Sequence, residues 1–158
     1  MTIPEIEDML RALYDTAHHS IRNEAVGRRE DMGTTLVSAL IRGNEVIIAN
    51  TGDSRAYLVG ENVDRITKDH SVVQSLVDNR LITEEQAGRH PMRNILSSSL
   101  GGASFQIDLY HVSQMGGRPT LLLCSDGLSG FVGGRRDACR RRSSLRGRCS
   151  PAARGAGA

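Results

Sequence analysis

"TTLVSALIRGNEVIIANTGDSRAYLVGENVDRIT", Thr34 to Thr67, decides the fold. β-branched and apolar residues dominate it. Gly43-Asn44 separates two apolar runs by two residues, which is the signature of a tight hairpin. The pattern predicts strands at 34–42, 45–50 and 54–59, with a short one near 63–66. The connections are too short for parallel crossovers, so an antiparallel meander is expected.

Upstream, Ile3, Ile6, Met9/Leu10, Leu13, Ala17 and Ile21 follow the helical period and predict a helix over residues 3–24. Thr2 with Glu5 forms the pattern of a capping box, and Pro4 is tolerated in a first turn. On this reading His18 and His19 fall on the polar, solvated side, and residues 25–32 form a polar loop. Downstream, Val72, Val73, Leu76 and Val77 share one face of a helix over 71–79. Thr83 caps a short second helix reaching Ala87. "NILSSSLGG", "FQIDLYHV" and "TLLLCS" read as three further strands. Helix, strand meander, helical insert and strands in that order predict a layered α+β fold rather than a doubly wound parallel sheet.

The 158 residues are enough for one domain, and 39% hydrophobic content supports a core. No apolar run approaches the roughly 20 residues that span a bilayer, so no membrane role is expected. The acidic start "MTIPEIEDML" lacks the basic beginning of a secretory signal, which makes the cytoplasm the expected location. Cys124, Cys139 and Cys149 fit no zinc spacing, and Cys124 reads as a small buried hydrophobe.

The net charge of +2 hides a split. Residues 135–158 hold eight Arg against one Asp, whereas residues 1–134 hold twelve Lys or Arg against seventeen Asp or Glu. We therefore divide the chain into a domain over 1–133 and a basic tail over 134–158. The tail has one Leu, no other large aliphatic residue and no periodicity, so it is expected to be disordered. Its Arg/Ala/Gly/Pro/Ser composition suggests a GC-rich gene read out of frame. Without interleaved aromatics it makes a poor nucleic-acid arm, and no nucleic-acid partner is expected.

Two acids end apolar strands beside a glycine: Asp53 in "VIIANTGDSR" and Asp126 in "LLLCSDG". Singly, each reads as a turn or cap residue. Together they suggest carboxylates meeting in one cleft, where a cation offsets charge that is otherwise costly to bury. Oxygen donors without a His/Cys cluster favour Mg²⁺ or Mn²⁺ over zinc, and paired hard metals clamp phosphoryl oxygens. No P-loop and no G-x-S-x-G elbow is present.

The ordered set MGTT, GDSR-x-Y, ITKDHS, HP-x-R-N, LGG and LLLCSDGLS, over about residues 4–132, resembles the bacterial PP2C-type (PPM) serine/threonine protein phosphatases. The resemblance implies an α+β fold, the PP2C-like αββα sandwich of antiparallel sheets flanked by helices. It implies two or three Mn²⁺ or Mg²⁺ ions at the sheet ends, and a metal-activated water attacking phosphoserine or phosphothreonine. It assigns Asp126 as a core metal ligand that also serves a third metal, Asp53 as an acidic ligand of that third metal, and Asn94 as a weaker one. Residues 71–93 match the family's flap. Ser54 and Arg55 are expected to hold the turn, and Asp69 and His70 to be structural. Phosphorylated proteins, and a serine/threonine kinase, are the implied partners of a monomer.

The family's early Arg, its D-G-M-G-G and its closing G-x-D-N have no counterpart in these residues. The expectation is an incomplete domain, truncated at both ends, with uncovered strand edges and little or no phosphatase activity. The alternative is a non-catalytic pseudophosphatase that binds phosphoproteins or a kinase.

Overall fold

The computed structural model describes residues 1–25, 31–113 and 119–132. The first helix, α1 (Ile3–Glu24), starts where its cap dictates. The Thr2 side chain accepts from the Glu5 N–H while the Glu5 carboxylate accepts from the Thr2 N–H. Ile6, Leu10 and Tyr14 line the buried stripe of α1. Each such apolar side chain removed from water contributes on the order of 1.5–3 kcal/mol.

Six strands follow: β1 (Leu36–Arg42), β2 (Glu45–Thr51), β3 (Arg55–Val59), β4 (Val63–Arg65), β5 (Asp108–Val112) and β6 (Thr120–Cys124). Gly43 takes φ 57° in the turn between the paired Arg42 and Glu45, which closes the two-residue hairpin read from the sequence. The strands form two three-stranded sheets, ordered β1-β2-β5 and β4-β3-β6, with every pairing antiparallel.

Strand β2 lies in the middle of the molecule, and its alternate residues face opposite ways. Ile47 and Ala49 pack with Ile6, Leu10 and Tyr14 of α1, together with Leu100 and Ile107. Val46 and Ile48 pack with Ala56 of the second sheet, flanked by Val37, Ala39, Ile66, Tyr110 and Leu121. Burial on both faces explains why β2 reads as a continuous apolar run. The layers are therefore helix, sheet and sheet, an α+β arrangement of antiparallel sheets as expected. The Tyr14 hydroxyl stitches two of them, donating to the Ala49 carbonyl at 2.8 Å and bonding Ser38 Oγ at 2.9 Å.

Between the sheets' strands sits an insert holding α2 (Val72–Asp78) and α3 (Glu84–Gly88), capped by Ser71 and Thr83. The chain re-enters at a bridge between Ser71 and Leu96, so the excursion leaves and returns at one point. A last helix, α4 (Asp126–Val132), follows β6 directly. No described helix is long and apolar enough to cross a membrane.

Three expectations are corrected. The strands are not one meander: β2 and β3 belong to different sheets, because the chain changes layer at residues 52–54. "NILSSSLGG" is not a strand and makes only single bridges at Leu96 and Leu100. Ser98 spends its hydroxyl on the backbone instead, its Oγ accepting from the Gln106 N–H at 2.8 Å. His18 is buried rather than solvated. It accepts from the Gly101 N–H at 3.0 Å and stacks on Phe105 at 4.3 Å. The tail over 134–158, with Cys139 and Cys149, and residues 26–30 of the polar loop lie outside the described residues.

Apolar surface is uncovered at the β6–α4 end, where Leu122, Leu123 and Leu128 are exposed. Among the described residues β6 pairs on one side only.

Candidate metal centre

The centre is built where β3 begins and β6 ends. These strands pair with Arg55 opposite Cys124 and Ala56 opposite Leu123. Asp53 lies two residues before this ladder, and Asp126, the first residue of α4, two residues after it. Two acids 73 positions apart in the chain thus meet at one sheet end.

Each acid is aimed by a turn. Gly52 takes φ 97°, a conformation that L side chains rarely adopt. A Cβ at Gly52 would stand 2.3 Å from Thr35 Cγ2, so the position needs glycine for space as well. Ser54 Oγ bonds Thr35 Oγ1 at 2.8 Å, tying the turn to the start of the first sheet. Asp126 opens α4, where a carboxylate is favoured by the helix dipole.

Asp53 is half-buried and Asp126 exposed. Burial pushes the Asp53 carboxyl above the ordinary carboxylate range, and the nearby charges of Asp69 and Asp126 push it further. The two predicted acids are therefore within electrostatic reach of each other. Asn94 is different: it is exposed in the insert, and no hydrogen bond among the described residues ties it to either acid.

A half-buried ion cluster adjoins the site. Arg55 donates to both oxygens of Asp69, Nη2 to Oδ2 at 2.8 Å and Nε to Oδ1 at 3.0 Å. Arg65 Nη2 reaches Asp69 Oδ1 at 2.7 Å. Burial works against the Arg55 charge, but the Asp69 bond and charge, with Tyr57, outweigh it and raise the Arg55 pKa. Cys124, opposite Arg55, is half-buried rather than buried, and burial pushes its thiol up.

His70 completes the frame. Its N–H donates to the Gly52 carbonyl at 2.9 Å, and its Nδ1 accepts from the Gly52 N–H at 3.3 Å. Its Nε2 lies 3.1 Å from Asp108 Oδ2. The closeness of the His70 ring holds the Asp108 carboxyl below its ordinary range despite burial. Ser54 was expected to hold the turn and bonds Thr35 there, whereas Arg55, expected to do the same, bonds Asp69 and Tyr57 instead.

The donor chemistry is carboxylate oxygen with water access on the Asp126 side, which suits a hard, hydrated divalent cation. Among the described residues no three His, Cys, Asp or Glu side chains converge to hold a metal ion. Two carboxylates fit an ion that keeps most of its water and not a fully enclosed one.

The chain is similar to several known proteins. The family model of Protein phosphatase 2C matches residues 4–86. The serine/threonine phosphatase stp of Listeria monocytogenes is 40% identical over 136 residues, which are 84% of this chain and 54% of that protein. The chain thus spans about half the length of the curated relatives it matches. The solved serine/threonine phosphatase Stp1 of Staphylococcus aureus superposes with TM-score 0.76 at 35% identity, over 84% of this chain and 53% of that one. A solved catalytic domain of the serine/threonine phosphatase PstP, in complex with 2 manganese ions, superposes with TM-score 0.60 at 35% identity, covering 72% of this chain and 47% of that one. With the family model matched over more than half of its residues and the sheets superposing on solved members, the chain belongs to the Protein phosphatase 2C family.

Proposed function

We propose that this chain carries part of a metal-dependent protein phosphatase acting on phosphoserine and phosphothreonine in proteins. The observation that carries the reading is the meeting of Asp53 and Asp126 at the end of the β3–β6 ladder. In this reading the two carboxylates hold a Mn²⁺ or Mg²⁺ ion, with Asn94 a further oxygen donor carried by the insert. When bound, such an ion activates water and neutralises charge on a phosphoryl group. The chain's own residues do the rest. Gly52 and Ser54 set the turn that presents Asp53, the Arg55–Asp69 pair fixes the start of β3, and the α4 N-terminus presents Asp126. A counterpart kinase that phosphorylates the same proteins belongs to the same reading.

The 158 residues alone are expected to turn over phosphothreonine peptide near background, since Mg²⁺ dehydrates reluctantly and two carboxylates compete poorly with water. Mn²⁺ titration by calorimetry tests the site. Weak binding that Asp126→Asn abolishes supports a phosphatase centre. Undiminished binding in Asp126→Asn removes the assignment.

The second reading, a non-catalytic module that binds phosphoproteins or a kinase, is favoured by one observation: no three candidate ligands converge among the described residues. Retention of a phosphothreonine peptide without Mn²⁺, and without phosphate release, distinguishes it.

A further inference from the structure

We propose that His70 is a positioning residue for the candidate metal centre: it clamps the Gly52–Asp53 turn to the base of the helical insert, using the tautomer with its proton on Nε2. The inference rests on the reading of Asp53 as a metal ligand.

The need for a clamp follows from Gly52. Glycine at φ 97° gives the turn its shape but no stiffness, because glycine also populates other conformations freely. The Gly52 carbonyl belongs to the peptide bond that leads into Asp53, so its orientation sets the Asp53 backbone. His70 holds Gly52 from both sides, by its own N–H on the Gly52 carbonyl and by Nδ1 on the Gly52 N–H. Asn50 Nδ2 adds a longer bond to the same carbonyl at 3.4 Å.

The clamp has two anchors. One is Asp108 on β5, whose carboxylate faces Nε2 and also accepts from Tyr110 Oη at 3.2 Å and from Gln106 Nε2 at 3.3 Å. The other is the insert. The Ser97 N–H donates to the His70 carbonyl at 2.9 Å, and the Val72 N–H donates to the Ile95 carbonyl at 2.9 Å. His70 therefore touches the turn of Asp53, the central sheet and the point where the insert leaves and returns, and it is buried at 7% exposure. Nδ1 accepts from an N–H, so the ring proton belongs on Nε2, which is buried 3.1 Å from Asp108 Oδ2 without the alignment of a full hydrogen bond. An ordinary packed histidine would not need Nδ1 in particular, and this separates the two roles.

The test uses the full chain. Nitrogen-15 NMR of the wild type is expected to show the Nε2–H tautomer and a slowly exchanging Gly52 amide. In His70→Asn the side-chain oxygen reaches the place of Nδ1, whereas in His70→Gln the amide reaches the place of Nε2. Mn²⁺ affinity is expected to stay within about threefold of wild type in His70→Asn and to fall about tenfold in His70→Gln, the scale of a lost outer-shell partner. The melting temperatures of the two variants are expected to match. Equal loss of affinity in both variants overturns the proposal. So does an Nδ1–H tautomer or a fast-exchanging Gly52 amide in the wild type, and these arms decide even where both variants fail to fold. Absence of Mn²⁺ binding in the wild type counts against the metal reading alone, and the tautomer and amide exchange then decide the clamp.

Discussion

Asp53 just before β3 and Asp126 just after β6 flank one antiparallel ladder, and the Asp53 pKa is raised by burial first and then by the charges of Asp69 and Asp126. Asp53 and Asp126 are thus like charges beside a strand end, an arrangement that costs folding energy and that a divalent ion, on the proposed reading, would relieve.

Asp53→Asn is therefore expected to stabilise the metal-free chain. A carboxyl whose pKa is raised on folding is penalised once it ionises. The native state binds more protons than the unfolded state, so stability falls as pH rises through the range between the unfolded and folded values. The partial exposure of Asp53 limits the effect to a few degrees in melting temperature, read near pH 7 with a chelator present. The same variant is expected to lose most of the stabilisation that Mn²⁺ gives the wild type. A lower melting temperature for Asp53→Asn in chelator refutes the like-charge account.

Asp69 sits between two guanidinium groups, and its removal is expected to act in the opposite direction. Asp69→Ala takes one negative charge away from Asp53, a small gain. It also leaves Arg55 and Arg65, whose side chains are 20% and 24% exposed, without their shared carboxylate. Breaking a largely buried pair from one side costs about 3 kcal/mol, so the loss dominates. Urea unfolding is expected to show a lower midpoint with an unchanged slope. Arg55→Lys is also expected to lower the midpoint, since an ammonium cannot make the two-pronged contact with Asp69.

Gly52→Ala tests the turn itself. The new methyl meets Thr35 Cγ2 at 2.3 Å and the backbone must hold φ 97°. Strain of this kind costs on the order of 1–3 kcal/mol before any clash is counted. Adding Thr35→Ser removes Cγ2 but leaves Thr35 Cβ at 2.5 Å from the new methyl and the backbone cost untouched, so the double variant is expected to regain only a small part of the lost stability. Full recovery, measured by thermal melting, assigns the cost to the clash alone.

How far the sequence discloses this molecule depends on whether the signal is local. The bounds of α1 are legible because its cap and its period agree. The Gly43-Asn44 hairpin is legible for the same reason. The change of sheet between β2 and β3 is not, since a strand pairing with its predecessor and one crossing to another layer carry the same local pattern. "NILSSSLGG" misleads because single bridges suffice there and the Ser98 hydroxyl bonds the backbone. At the site, two acids after two apolar strands were readable, but the place of Asn94 depends on the insert and no local pattern fixes it. The missed His18 had a signal: Ile6, Leu10, Tyr14 and His18 recur every fourth residue on the buried stripe of α1.

That buried histidine carries the last prediction. Burial lowers the His18 pKa, with the charges of His19 and Arg22 adding to the effect. The ring accepts from the Gly101 N–H, so a proton on Nδ1 would set two donors face to face. The unfolded chain takes up this proton more readily than the native one. The His18 contribution is therefore complete well above the ordinary histidine value of about 6.5 and is lost as pH falls below it. The wild-type urea midpoint is expected to drop between pH 7.5 and pH 5.5. His18→Asn keeps an acceptor for Gly101 but loses the stacking on Phe105, so it is expected to be less stable at pH 7.5 and to lose less on acidification. An identical acid-side drop in the variant would show that the pH dependence arises elsewhere and that the junction of α1 with Gly101 is insensitive to protonation.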